Sequence, residues 1–252
     1  MAATTTEQAS TFFVAMGTVI SLLASGADAA AALDQAVDLT DQLESGLSVF
    51  RPHSDVARLN AAAGQPVSVS AETDLLLLRA DSLRQATFGA FDAMRGRGLA
   101  LRVDHCVWRL PTGADIDLGA IGKGWAVDRI LESWGDFSLN QAVVNFGESS
   151  IGFLGRPPAG SWRVGIRCPH GKRLLGSVRV HRGCLSTSSN HTGHIIDPII
   201  SGPAASDYST VTVLGPSATD CEAWSTALMV RGTKLEPWLT TGLRAVVSPA
   251  RV

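Results

Sequence analysis

The chain has 252 residues, 45% of them hydrophobic and 17% charged, with a net charge of −2. That length supports one large domain or two interlocked lobes, and the composition is that of a globular protein with enough apolar surface for a sizeable core. The charge balance argues against an electrostatic polyanion binder. Cys106, Cys168, Cys184 and Cys221 form no CxxC pair and show no zinc spacing, so they read as thiols of a reducing compartment.

Residues 1–10 are small and polar and are expected to be loose, ahead of a single domain over 11–252. Phe12–Leu23 is an apolar run interrupted at Gly17-Thr18. It is too short for a membrane helix, and the first basic residue is Arg51, so it is read as a buried first strand. With no signal segment and no Cys near the N-terminus to carry a lipid, the sequence predicts a soluble, cytoplasmic protein. Asp28–Leu47 has apolar residues at helical spacing. Arg51–Pro66 reads as loop. Ser70 is a cap for a helix running to about Thr87.

Residues 88–118 are punctuated by glycine and proline, with a strand over Val103–Leu110. Ala120–Trp134 is predicted as a helix closed by Gly135, and Ala142–Phe146 as a strand. Short strands follow at Trp162–Arg167, Ser177–His181, His194–Ile196 and Ser209–Leu214. Ser217 opens a further helix with Asp220 as capping-box partner; Gly232 closes it, and Arg244–Val247 is a last strand. Helices mixed with many short strands, without strict βαβ alternation, predict an α+β fold.

Four segments carry possible chemistry. In Asp117-Leu-Gly-Ala-Ile-Gly-Lys123-Gly124 a carboxylate precedes a glycine-marked turn and a helix start, which suits a phosphate near Lys123, although for this segment alone a tight loop leading into a packed helix is the better reading. Thr87-Phe-Gly-Ala-Phe91-Asp92 offers Phe91 either to a flat ring or to the core. His194-Ile-Ile-Asp197-Pro198 contains a histidine suited to base or phosphate work, or to a structural role, and an Asp-Pro turn. Glu222 and Thr226 share one helical face, as a hard-cation site requires, although for this segment alone an exposed Glu beside a core-facing Thr is the better reading.

In this order the segments resemble the ApbE family of FAD:protein FMN transferases. The resemblance runs from Met16-Gly17-Thr18 through Leu59-Asn60 and Thr87–Asp92. Asp117–Asp128 follows, with Trp125 where Tyr is usual, then Val144–Gly147, Thr187-Ser188, His194–Pro203 and Glu222–Gly232. It implies mainly antiparallel sheets with packed helices. It also implies FAD contacts at Met16, Phe50, Ala90, Phe91, Asp92, Asp117, Lys123 and Ile195, and a Mg²⁺ site at Ala120, Glu222, Ser225 and Thr226. His194, Asp117 and Lys123 fall at positions important for transfer. The chain departs from the family pattern at Phe50 (usually Tyr), Glu148 and Ser149 (usually Gly-Asp), Ser189 (usually Gly) and Glu222 (usually Asp). The implied activity is Mg²⁺-dependent cleavage of FAD with attachment of FMN to a Ser or Thr of an acceptor protein; an FAD pyrophosphatase and a non-catalytic flavin binder are the alternatives.

Overall fold

The computed structural model describes residues 7–171, 173–190, 193–233, 235 and 242–249. Its frame is one antiparallel sheet of seven strands in the order β1-β2-β6-β7-β10-β13-β14. The strands are β1 (Gln8–Ala15), β2 (Thr18–Gly26), β6 (Leu139–Phe146), β7 (Ser150–Gly155), β10 (Gly183–Ser189), β13 (Tyr208–Gly215) and β14 (Arg244–Pro249). Three smaller sheets complete the strands. β3 (Val67–Ser68), β4 (Leu101–Asp104) and β5 (Val107–Arg109) form one, β8 (Trp162–Arg167) and β9 (Leu174–Val180) another, and β11 (Ile196–Asp197) and β12 (Gly202–Pro203) the third. Helices α1 (Ala29–Leu47), α2 (Asp55–Ala61), α3 (Ala71–Ala86), α4 (Gly122–Ser133) and α5 (Ala218–Arg231) bury their apolar faces against one core with the sheet. This is the expected α+β arrangement of mainly antiparallel sheets and packed helices. Among the described residues no helix is long and apolar enough to cross a membrane.

Several expected elements change. The run Phe12–Leu23 is not one buried strand. It is a hairpin, because Met16 and Gly17 both take left-handed backbone (φ 50° and 71°), the conformation a two-residue hairpin turn requires. Phe12 is consequently 81% exposed on the outer edge. β1 begins at Gln8, so residues 8–10 pair with Leu23–Ser25 and are not loose; residues 1–6 lie outside the described residues. The supposed loop Arg51–Pro66 contains α2, whose N-cap Ser54 accepts the Ala57 amide at 2.9 Å. Val103–Leu110 divides into the β4–β5 hairpin, and the strands β7 and β10 were not foreseen. The α1 and α3 predictions hold, and α3 turns Leu76, Leu77, Ala80 and Leu83 inward while Leu75 and Leu78 face solvent.

Helices α4 and α5 place the site, and they pack N-terminus to N-terminus. A Cβ on Gly124 would come within 2.5 Å of the Ala218 carbonyl oxygen, so only glycine permits that approach. Each helix caps the other. Asp128 of α4 accepts the amides of Ala218 and Thr219 at 2.7 and 2.9 Å and the hydroxyls of Ser217 and Thr219. Glu222 of α5 accepts the Gly124 amide at 2.5 Å, near the α4 start, where the N-cap residue Ile121 provides no side-chain bond. Ser217 caps α5 as expected, but Asp220 does not complete a capping box: its carboxylate turns outward to a bidentate pair with Arg79.

Candidate functional site

The sheet end at β10, the start of α4 and the inner face of α5 enclose a cleft of about 360 Å³. Its wall brings together Ala90, Phe91, Asp92, Asp117, Ala120 and Lys123. His194, Ile195, Glu222 and Thr226 join them. An adjoining, more apolar alcove of about 160 Å³ is lined by Met16, Leu47, Val49, Phe50 and Leu118. Asp117, Gly119 and Lys123 line both spaces, so the two halves of the site meet at these residues.

Asp117 is fixed by its backbone. Its amide bonds to the Ala93 carbonyl at 3.0 Å, and the preceding Ile116 is clamped on both sides by Asn60, whose amide group donates to the Ile116 carbonyl at 3.0 Å and accepts its N–H at 2.8 Å. The Asp117 carboxylate accepts the Gly119 amide at 2.8 Å and pairs with Arg95. Arg95 adds a cation to the cleft that the sequence reading missed; it lies in an irregular loop, at φ 51°, where no periodic signal marks it. The loop carrying it is held at both ends. Asp92 accepts the amides of Met94 and Gly96, and Gly96 lies so close to the His194–Pro203 segment that an added Cβ would collide with the Pro198 carbonyl oxygen. Phe91 is a core side chain, 1% exposed, that forms part of the wall, while Phe50 is exposed at the alcove mouth.

Lys123 donates to the Gly119 carbonyl at 2.9 Å and pairs with Glu222 at 2.9 Å. The carboxylate raises its pKa against the opposing effect of burial, with Asp117 adding to the rise. The expected picture of an open helix start changes at this point. α4 begins at Gly122, two residues later than predicted, so Ala120 sits in the turn before it. The Gly122 amide returns to the Leu118 carbonyl at 2.7 Å and the Gly124 amide is taken by Glu222, so an anion here meets side-chain cations in place of those two amides. Nor is Glu222 an exposed edge residue. It is 5% exposed, with one oxygen on Lys123 and the other on Gly124.

Behind this pair stands a cluster of hydroxyls. Ser188 on β10 bonds to Ser225 at 2.7 Å and to Thr226 at 3.3 Å, and Ser225 donates to the Glu222 carbonyl at 3.0 Å. Thr226 lines the cleft; Ser225 is fully buried and does not. Oxygen donors of this kind suit a hard cation. His194 is exposed and lines the same cleft, just ahead of the β11–β12 hairpin. That hairpin is secured by Asn190, which accepts the Ile195 amide at 3.0 Å and donates to the Ala204 carbonyl at 2.9 Å, and by Asp197, which pairs with Arg231 of α5. Asn190 has no local sequence signature, because both bonds join residues that only the fold brings together. Trp125, in the place of the usual Tyr, donates to Glu72 at 2.6 Å and lies under Arg129, and Glu148 adopts φ 61° in the β6–β7 turn.

Fold and cleft together define an α+β protein with a two-part site, apolar at one end and rich in charged and hydroxyl groups at the other. The chain belongs to the ApbE family, whose model matches residues 16–102 and 97–247. Its relatives include the FAD:protein FMN transferase of Treponema pallidum, 31% identical over 82% of this chain and 73% of the relative. A protein of the same name from Klebsiella pneumoniae is 26% identical over 88% of this chain and 82% of its own length. The fold is also that of the ApbE protein from Thermotoga maritima, with a TM-score of 0.85 and 23% identity over 96% of this chain and 94% of that one. The flavin transferase ApbE of Vibrio cholerae superposes with a TM-score of 0.82 and 21% identity, over 96% and 97% of the two chains.

Proposed function

We propose that this chain is an FAD:protein FMN transferase, acting as one unit over residues 11–252. The observation that carries the reading is the two-part site, in which Asp117, Gly119 and Lys123 join an apolar alcove to a charged cleft. FAD is itself two-part, with ring systems at its ends and a pyrophosphate between them. The names of the relatives at 31% and 26% identity support the same activity.

In this reading Met16, Phe50, Ala90, Phe91, Asp92 and Ile195 surround the nucleotide, and Asp117, held by Asn60, orients it. Lys123 and Arg95 bring cations to the phosphate oxygens, where charge develops as the bond between the phosphates breaks. An acceptor Ser or Thr hydroxyl attacks the phosphorus on the FMN side, the P–O–P bond breaks, and AMP leaves with the electron pair. His194 takes the hydroxyl proton. Ala120 through its carbonyl, Glu222, Thr226 and, through Ser188, Ser225 are the residues that would hold Mg²⁺, which would offset phosphate charge. Because the Glu222 carboxylate already holds Lys123 and Gly124, its share in a cation site requires Lys123 to shift toward the phosphates. The four free cysteines support a cytoplasmic location.

The test is incubation with FAD and Mg²⁺, with and without a candidate acceptor. AMP release that depends on acceptor, with flavin appearing on that protein, is the expected result. AMP released equally without acceptor indicates hydrolysis, and intact bound FAD indicates a binding protein; either overturns the transferase reading.

A further inference from the structure

The β11–β12 hairpin carries two isoleucines at its tip, where the chain turns through residues 198–201. Ile199 and Ile200 are each 65% exposed. The turn that holds them is pinned. The Ile199 amide bonds to Asp197 at 2.9 Å, and Asp197, 6% exposed, pairs with Arg231 of α5 at 3.1 Å. On the other side Gly96 packs so tightly on the Pro198 carbonyl that no Cβ fits between them. Two large aliphatic side chains held in water on a pinned turn favour a partner that covers them.

Position decides which partner. Ile196 and Pro198 line the cleft, as does Arg95 beside Gly96, so the tip stands at the cleft rim. His194 begins the same segment, and the chain from His194 to Ile199 spans at most about 18 Å. In the transferase reading the acceptor hydroxyl comes within hydrogen-bond distance of His194. The tip is then within reach of the acceptor chain that flanks this hydroxyl. The charged groups around the tip are already matched, Arg97 with Asp115, Arg95 with Asp117 and Arg231 with Asp197. These pairs cancel, so the contact left to distinguish one partner from another is apolar, and attraction to an anionic lipid surface is weak.

We infer that the Ile199-Ile200 tip is a docking point for the acceptor polypeptide. A large apolar side chain within about five residues of the target hydroxyl packs on the two isoleucines and holds that hydroxyl at His194. The inference rests on the transferase reading, which requires a protein substrate beside FAD.

The test uses the full chain with saturating FAD and no Mg²⁺, titrated into a dye-labelled peptide and followed by fluorescence anisotropy. One peptide has a single Thr in a Gly-Gln background with a Leu about four residues to either side; its comparator has Gln in place of both Leu. The Leu peptide binds the parent about tenfold or more tightly than the comparator. The double variant Ile199→Ser, Ile200→Ser erases that difference, Ile199→Leu, Ile200→Leu keeps it, and FAD titrations and melting of both match the parent. Equal binding of the two peptides by the parent, binding of neither, or a preference that survives in the Ser variant overturns the inference. So does a Ser variant whose one loss is binding to phosphatidylglycerol vesicles, or self-association in sedimentation, since the tip would then serve a membrane or a second copy. Failure of the parent to bind FAD sinks the transferase reading instead, whatever the peptides do.

Discussion

Replacing Glu222 by Ala removes two things at once. The Lys123 ammonium loses its carboxylate in a site where the two side chains are 23% and 6% exposed, and the Gly124 amide loses its acceptor. Breaking a buried pair costs about 3–5 kcal/mol when one charge is stranded. Lys123 retains the Gly119 carbonyl and some water, which reduces that loss, whereas the bare Gly124 amide adds to it. The net expectation is roughly 3 kcal/mol, or a fall in Tm of about 6–12 °C for a chain of this size. Glu222→Gln keeps an oxygen for Gly124 and forfeits the charge, so it should lose about half as much. Glu222→Asp falls short by about 1.5 Å, holds one partner only, and should lie between parent and Ala. Calorimetry on the four proteins measures this. Lys123 has its pKa raised in the fold, so the pair's contribution is fully present below the unfolded value of 10.5 and fades as pH rises above it. The gap between parent and Glu222→Gln should therefore be constant through neutral pH and shrink in alkali. A Glu222→Ala protein melting within a degree or so of the parent would refute the reasoning.

Asn60→Ala frees Ile116 and with it Asp117; FAD affinity, followed by flavin fluorescence, should fall about tenfold while stability drops by about 1–2 kcal/mol in a urea melt. Gly96→Ala forces a Cβ into the Pro198 carbonyl and needs strained backbone besides, so it should cost more than about 2 kcal/mol and expose the His194–Pro203 segment to limited proteolysis. Glu148→Gly relieves a left-handed glutamate and gives up only a solvent-exposed ion pair with Arg167, so the urea midpoint should rise, by about 0.5–1 kcal/mol in stability.

Helices α3 and α5 were the most legible elements, because each combines a capping residue with an apolar period: Ser70 and Ser217 start them as read, and Gly232 closes α5. Strands with a polar or glycine face were harder. β10 is largely Ser and Thr because it lines the cleft, so it lacks the apolar alternation that marks a strand. The β1–β2 hairpin was hidden because Met16, not Gly, Asn or Asp, takes the first left-handed position of its turn. At the site, Asp117, Lys123, His194, Glu222 and Thr226 were recognisable from ordered motifs, and one cleft gathers them. Arg95 and Asn190 were not, and Asn60 stood out only as part of the Leu59-Asn60 motif and without its role, since each acts across a gap that no local spacing reveals. Asn60 grips Ile116 from 56 residues away. The same limit misjudged Glu222, whose burial depends on a helix 98 residues earlier.

The mutual capping of α4 and α5 has a kinetic meaning. Both helix starts complete their bonding only when segments some 90 residues apart have met, so neither can serve as an early local nucleus. Conversely, once formed, the amides of Gly124, Ala218 and Thr219 cannot be released by fraying of one helix, because the acceptor of each belongs to the other. Their hydrogen exchange should need the two helices to separate and should run at the slowest rate in the chain, near that set by complete unfolding. The charged end of the cleft would then be among the most rigid parts of the protein, and adjustment to a bound nucleotide would fall to the segments around it.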